Sequence, residues 1–210
     1  MTKNIDLFTQ NSIRIRGDKT IYVDPFRIRS EDHDADVVLI THDHYDHFSA
    51  EDIAKVVKDD TTIVAPESMK KQVKALVPKG GSFVKVAPGQ SLTVRDIPIE
   101  TVPSYNMNKS YHPRSSNWVG YIVTVKDRRI YIAGDCDATP ELCAVNCDVA
   151  MIPIGGTYTM TAAEAAAAIN KMKPKAVIPT HYGSIVGSLS DGEAFADLVD
   201  PGIKVDVRLK

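Results

Sequence analysis

Three of the chain's six histidines, His42, His44 and His47, fall within six residues, and Asp43 and Asp46 lie among them. Imidazole nitrogens and carboxylate oxygens together suit zinc, iron or manganese. The run His42-Asp43-His44-Tyr45-Asp46-His47 therefore reads as a metal or catalytic site. A solvated polar loop explains one such histidine, but not three with two aspartates directly after an apolar run. In an extended segment residues i and i+2 point the same way, so His42 and His44 can reach one ion together. A turn beyond them would face Asp46 and His47 to a neighbouring point. Two ions need more ligands than this loop offers. Asp135 follows the run ending at Ala133 through Gly134, and His181 follows the run ending at Pro179. Each is a weak ligand candidate alone, and each gains weight beside the first loop.

The elements that must position these residues show in the apolar pattern. Val37-Val38-Leu39-Ile40, just before the cluster, is wholly apolar, as a buried central strand is. Ser12–Arg16 and Thr20–Val23 flank the turn Gly17-Asp18 as a hairpin, which Asp24-Pro25 ends. Ser49, with Asp52 three residues on, is expected to cap a helix through about Lys58. Thr62–Ala65 reads as a strand and Glu67–Val77 as a helix stopped by Pro78. Strands follow at Phe83–Val86, Ser91–Val94, Ile97–Val102, Trp118–Val125 and Arg128–Ala133. Val149–Ile154 and Ala176–Pro179 are buried strands around a helix capped by Thr161, with Glu164 as its capping partner, that runs over Ala162–Lys173 to Pro174. A helix at Gly192–Val199 and a strand at Ile203–Leu209 close the pattern. Strand and helix alternation of this kind suggests sheet packed on sheet with helices outside, in one domain over residues 1–210.

The whole-chain numbers exclude several classes. The chain has 210 residues, 43% hydrophobic and 25% charged, the balance of an ordinary globular domain. Net charge is −2, so there is no broad basic field for nucleic acid. The short basic stretch Lys70-Lys71-Gln72-Val73-Lys74 reads as a solvated helix face. No segment approaches the roughly 18–20 apolar residues of a membrane span, and the first ten residues, MTKNIDLFTQ, do not read as a signal peptide. Cys136, Cys143 and Cys147 make an odd number, which argues against a disulfide framework and for a reducing, cytoplasmic setting. Cys143 and Cys147 read as small buried thiols, and Cys136 as a neighbour of Asp135 rather than a ligand. His33, in acidic surroundings, reads as a surface residue. Self-association is left open.

The run Thr41–His47 resembles the His-x-His-x-Asp-His signature of the metallo-β-lactamase superfamily. Ala133-Gly134-Asp135 and Pro179-Thr180-His181-Tyr182-Gly183 look like that family's bridging-aspartate and final-histidine motifs. Ile21-Tyr22-Val23-Asp24-Pro25 and Trp118-Val119-Gly120-Tyr121 look like its compact UlaG-like branch, which includes ascorbate-6-phosphate lactonase and is related to N-acylphosphatidylethanolamine phospholipase D. The resemblance implies an α/β fold, a four-layer αββα sandwich, with two divalent metal ions at one edge. It puts His42, His44 and a third histidine on the first ion, Asp46, His47 and His181 on the second, and Asp135 between them. The family's third histidine falls between the first motif and the bridging aspartate, where only His112 stands. Related phospholipase-type members carry a histidine where this chain has Asn106, so His112 from a longer loop, Asn106 or water would complete the first ion's shell.

The expected chemistry is hydrolysis of an ester, lactone or phosphodiester by metal-activated hydroxide. Zinc is the metal first expected, with manganese and iron as alternatives. The two cations outweigh the carboxylates, so a small anionic substrate is expected. Asp43 is the candidate acid or base, or else orients a ligand histidine. Asp46 and Asp135 serve as both ligands and catalytic groups. The loop Tyr105–Trp118 brings Lys109 and Arg114, which could hold a phosphate or carboxylate or could simply be exposed. Tyr158, after Gly155-Gly156, is a candidate pocket residue. The competing readings are an iron-dependent oxidoreductase on the same ligands and a non-catalytic metal-binding protein. An RNA-processing nuclease would need a basic face that the sequence lacks.

Overall fold

Side chains alternate across a strand, so a run apolar at every position must be covered on both faces. The computed structural model, which describes residues 1–209, meets that demand with four layers. Strands β1 (Ile5–Thr9), β2 (Ser12–Arg16), β3 (Thr20–Val23), β4 (Ala35–Leu39), β5 (Val57–Pro66) and β6 (Ser82–Val86) form one sheet in sequence order. Its first three strands are antiparallel and the rest parallel. The second sheet holds β7 (Ser91–Val94), β8 (Ile97–Pro103), β9 (Val119–Val125), β10 (Arg128–Ile132), β11 (Val149–Pro153), β12 (Ala176–Thr180) and β13 (Lys204–Val205), again in order. It is antiparallel as far as β10 and parallel beyond.

Strand β4 shows how the layers arise. Val37 and Leu39 join the core between the sheets, with Val23, Val123 and Met151. Val38 and Ile40 point the other way, into a cluster with Ile53 and Val56 of α1 (Ala50–Val56) and Val73 of α2 (Lys70–Lys74). Strand β11 repeats the pattern on the second sheet. Val149 and Met151 face inward, while Ala150 and Ile152 pack among Leu142, Ile169 and Phe195 of α3 (Pro140–Cys143), α4 (Ala162–Met172) and α5 (Asp191–Leu198). The αββα sandwich follows from these two-sided runs.

Both expected helix caps form. Ser49 Oγ accepts from Asp52 N–H, and Thr161 and Glu164 make a reciprocal capping box. Several boundaries differ from the sequence expectation. Helix α1 stops at Val56, because residue 57 turns to extended backbone and starts β5. The helix expected over Glu67–Val77 shrinks to a 3-10 turn at Glu67–Met69 and α2, since only Met69 and Val73 are buried along it. The last strand keeps only Lys204–Val205 of the expected Ile203–Leu209. Strand β1 and helix α3 carry no expectation in the sequence reading. In β1 the exposed Phe8 breaks the apolar-polar alternation beside Leu7.

Candidate metal centre

Each candidate ligand sits just past the end of a strand or in a loop held by backbone hydrogen bonds. After β4 the chain turns at His44, whose carbonyl accepts from His47 N–H (2.9 Å) and Phe48 N–H (2.8 Å). That turn carries Asp46 and His47 around to face His42. Asp135 follows β10 through Gly134, which has φ +67. A Cβ at residue 134 would lie 3.2 Å from Thr41 Cβ and 3.1 Å from Ser104 Oγ, so glycine lets the β10 loop close on the β4 loop. His181 follows β12 with φ 57, and its N–H donates to Gln10 O at 2.9 Å, tying it to the β1–β2 turn. His112 also has left-handed backbone, φ 55, and its carbonyl accepts from Asn106 N–H at 2.8 Å.

The seven residues form three groups whose ligand atoms lie within 4.8 Å of one another: His42–His44–His112, His42–His47–Asp135 and Asp46–His47–His181. His112 Nε2 is 3.2 Å from His44 Nδ1. His181 Nε2 is 3.2 Å from Asp46 Oδ2. Asp135 Oδ2 lies 3.4 Å from His112 Nε2 and 3.2 Å from His181 Nε2, so this carboxylate faces both triads. Three buried atoms here, His42 Nε2, His47 Nε2 and Asp135 Oδ1, make no aligned hydrogen bond, although the last two stand 3.3 Å apart as an ion pair. Buried polar atoms without aligned hydrogen bonds are costly, and these three converge on one point where a cation would satisfy them. The donor set, histidine nitrogens with carboxylate oxygens, fits divalent metal ions, and the groups His42–His44–His112 and Asp46–His47–His181 are two triads that share no residue.

The far side of each ring decides which nitrogen faces the centre. Asp24 is fully buried, and its Oδ2 lies 2.7 Å from His47 Nδ1. The same oxygen accepts from Thr41 Oγ1 and Asn11 Nδ2, each at 2.7 Å, and Oδ1 accepts from Thr41 N–H at 2.8 Å. His47 Nδ1 is thereby fixed as a donor, which leaves Nε2 free as a ligand atom. Thr41 Oγ1, spending its hydrogen on Asp24, is an acceptor for His42 Nδ1 at 3.0 Å. Trp118 packs against His42 and His44, with ring centroids 4.8 and 5.0 Å away.

The electrostatics divide the histidines into two kinds. Burial holds His42 well below the ordinary imidazole value, and the charge of His47 acts the same way. Burial also pushes His112 down to about 4. For His47 and His181 burial again opposes the charged form, but carboxylates outweigh it. Asp135 and Asp24 hold His47 well above its usual value, and Asp135 and Asp46 raise His181 to about 9. Burial alone would raise Asp135 and Asp46, yet His181 and His47 keep both below the usual carboxylate range. The pocket thus has two buried carboxylates that bind protons on neighbouring imidazoles, and divalent cations can take the place of those protons.

The seven sequence-derived ligands come together, and His112 rather than Asn106 faces the centre. Asn106 stands behind it, with Nδ2 3.2 Å from His112 Nδ1 and 2.7 Å from Tyr158 O. The substrate candidates divide. Tyr158 lines a cavity of about 280 Å³ over the centre, with His44, Tyr45, Asp46, Tyr111, His112, Asp135, His181 and Ile185. Lys109 and Arg114 do not line it. Lys109 is ion-paired to Asp137, and Arg114 Nη2 lies 2.8 Å from Glu141 Oε1 with its guanidinium over the Tyr105 ring. In this structure both cations therefore lie outside the cavity wall, each beside a carboxylate, which is the exposed-loop alternative of the sequence reading. Asp43 is exposed and outside the cavity wall, so the structure does not bring it to the reacting centre. His33 is exposed and Cys136 is buried beside Asp135, as expected. Sequence reasoning gave no role to Asp24. Its only signal was its place at the end of β3, in a motif noted for likeness alone.

A family model described as a beta-lactamase superfamily domain matches residues 4–181. A UPF0173 metal-dependent hydrolase from Thermococcus onnurineus is 32% identical, over 93% of this chain and 91% of its own length. Among solved structures, a candidate metal-dependent hydrolase from Parabacteroides distasonis superposes with a TM-score of 0.81 at 34% identity, covering 97% of this chain and 91% of that one. Igni18, a metallo hydrolase from the archaeon Ignicoccus hospitalis, superposes with a TM-score of 0.76 over 97% and 94% of the two chains. At 22% identity that likeness is one of fold.

Proposed function

We propose that this chain, which belongs to the beta-lactamase superfamily and within it to the metal-dependent hydrolases, cleaves an ester, lactone or phosphodiester at a pair of divalent ions. One observation carries the pairing. Asp135 Oδ2 stands between His112 Nε2 and His181 Nε2, within 3.4 Å of each, so one carboxylate faces both triads. Zinc is our first choice of metal because the triads combine imidazoles with carboxylates, with manganese or iron as alternatives.

Two such ions supply Lewis-acid stabilisation for charge developing on oxygen and make water acidic enough to react near neutral pH. The chain's own residues do the rest. His42, His44 and His112 would hold one ion, Asp46, His47 and His181 the other, and Asp135 both. Asp46, kept ionised by His181 and His47, can accept a hydrogen bond from the attacking water at its carboxylate. Trp118 packs on the rings of His42 and His44 and limits their movement. The reaction adds water across the C–O or P–O bond and releases an acid and an alcohol. Asp43, being exposed, is at most a remote proton carrier. An anionic substrate loses the support that Lys109 and Arg114 would have lent.

The UlaG-like affinity gains support from the roles of its two motifs, since Asp24 orients His47 and Trp118 packs on the triad. No helix among the described residues is long and apolar enough to cross a membrane. The three free cysteines support a reducing compartment.

The reading is tested by metal analysis and a hydrolysis panel of lactones, carboxylic esters and phosphodiesters on the reconstituted protein. Two ions per chain and activity abolished in His47→Ala are expected, with His112→Ala retaining one ion. Hydrolysis that survived His47→Ala would sink the mechanism, and iron with oxygen consumption would point instead to the oxidoreductase reading.

A further inference from the structure

The floor of the cavity is the metal centre itself, formed by His44, Asp46, His112, Asp135 and His181. Its other walls are Tyr45, Tyr111, Tyr158 and Ile185. Tyr45 and Tyr111 are 66% and 49% exposed, although each ring is braced. Tyr45 meets Phe26 edge-on with centroids 6.0 Å apart, and Tyr111 meets Tyr158 edge-on at 4.7 Å. Rings held in place beside a concave opening lose little freedom when another ring covers them, and they favour edge-to-face or offset partners. Among the described residues no lysine or arginine lines this cavity. Lys109 and Arg114 are engaged by Asp137 and Glu141. Arg27, next along the rim, donates to Ser184 Oγ and lies over Phe26, outside the walls. A charged group carried on a substrate away from the bond being cut would meet no lysine or arginine in these walls.

We propose that the substrate is an ester or lactone whose body, away from the scissile bond, is an uncharged aryl or aralkyl group seated against Tyr45, Tyr111, Tyr158 and Ile185. The inference rests on the hydrolase reading above and specifies the substrate class for that same site. Size agrees with it. An apolar cavity of about 150 Å³ holds a benzene molecule, so about 280 Å³ takes a ring together with its ester arm.

The test compares kcat/KM of the metal-loaded protein on β-phenyl-δ-valerolactone, whose ring is remote from the ester oxygen, with δ-valerolactone and with a phosphate-bearing sugar lactone. The phenyl lactone should lead both by on the order of ten-fold or more. Tyr111→Ala should remove most of that lead through KM, whereas Tyr111→Phe should keep it, since the ring makes the contact. Preference for the phosphate-bearing lactone, or equal losses on both neutral lactones in Tyr111→Ala, would overturn the proposal while leaving hydrolysis intact. Binding of phenylacetamide to the metal-free protein, followed by NMR, gives a readout that needs no turnover. Binding weakened by Tyr111→Ala supports the aryl site even if no lactone is cleaved, which would fault the hydrolase reading alone. Absence of binding together with absence of aryl preference would overturn the proposal.

Discussion

Asp24→Asn isolates the support of the second triad. The carboxylate is fully buried and receives Thr41 N–H on one oxygen and three further partners on the other: Thr41 Oγ1, Asn11 Nδ2 and His47 Nδ1. Asparagine keeps the shape but must present an NH2 to at least one donor. The least costly orientation turns the NH2 toward Thr41 N–H, leaving that N–H and the amide's own hydrogens without acceptors, at about 1–3 kcal/mol of stability for each unmet group. The hydrogen bond to His47 survives in that orientation without its charge. Losing such an outer partner weakens a metal site about 10–100-fold, or about 1.4–2.7 kcal/mol. The loss should fall on the ion held by Asp46, His47 and His181 and spare the one held by His42, His44 and His112 to within about three-fold, since His42 leans on Thr41 rather than on Asp24. Competition against a chromophoric chelator at pH 8.5 resolves the two binding steps. Near-ultraviolet circular dichroism checks that the core is intact. Unchanged affinity, or equal losses in both steps with a native spectrum, would refute the assignment of the Asp24 charge as the support of His47.

Two further predictions follow from the same geometry. In the metal-free protein His181, raised to about 9, carries a proton at neutral pH, and Asp135 and Asp24 raise His47 in the same direction against burial; protons on these rings must leave before an ion binds, so apparent metal affinity should rise with pH from 7 through about 9. Calorimetry in buffers of different ionisation enthalpy should show net proton release at pH 7, and a pH-independent affinity would contradict the charge assignment. Lys109→Ala and Arg114→Ala should each leave kcat/KM for neutral esters within about three-fold, because Asp137 and Glu141 hold these cations outside the cavity, and a ten-fold drop in either would show that the loop swings inward.

The ligands were legible in the sequence because their chemistry is concentrated: a run of histidines and aspartates after an apolar strand has few other uses. The four-layer arrangement was legible for a related reason, since β4 and β11 are apolar at nearly every position and need cover on both faces. What the sequence left open was whatever depended on a partner distant in the chain. Lys109 and Arg114 looked like free cations because Asp137 and Glu141, 28 and 27 residues away, give no local sign of pairing with them. Asp24 looked like a residue that merely ends a strand before Pro25. Its function comes from the register that sets Val23 beside Leu39, which brings the end of β3 against Thr41 and, through the turn at His44, against His47. Pairing register of this kind is a property of two strands and is not written in either one.

The backbone at the site was equally hidden, and it bears on how the centre works. Asp24, His112 and His181 all have left-handed φ, between 44° and 57°, and none is glycine. Each such residue costs about 1–2 kcal/mol relative to ordinary backbone. A fully buried aliphatic side chain returns about 1.5–3 kcal/mol, so a few residues such as Val37, Leu39 and Met151 offset the strain. The strain falls on two ligands and on the carboxylate that orients a third, which is where freedom would be most damaging. His181 is tied to Gln10 O and His112 to Asn106 N–H, so both rings point inward by virtue of the main chain. An ion entering such a site orders little protein and meets donors already aimed, so more of its binding free energy goes into affinity and less into folding the loops around it.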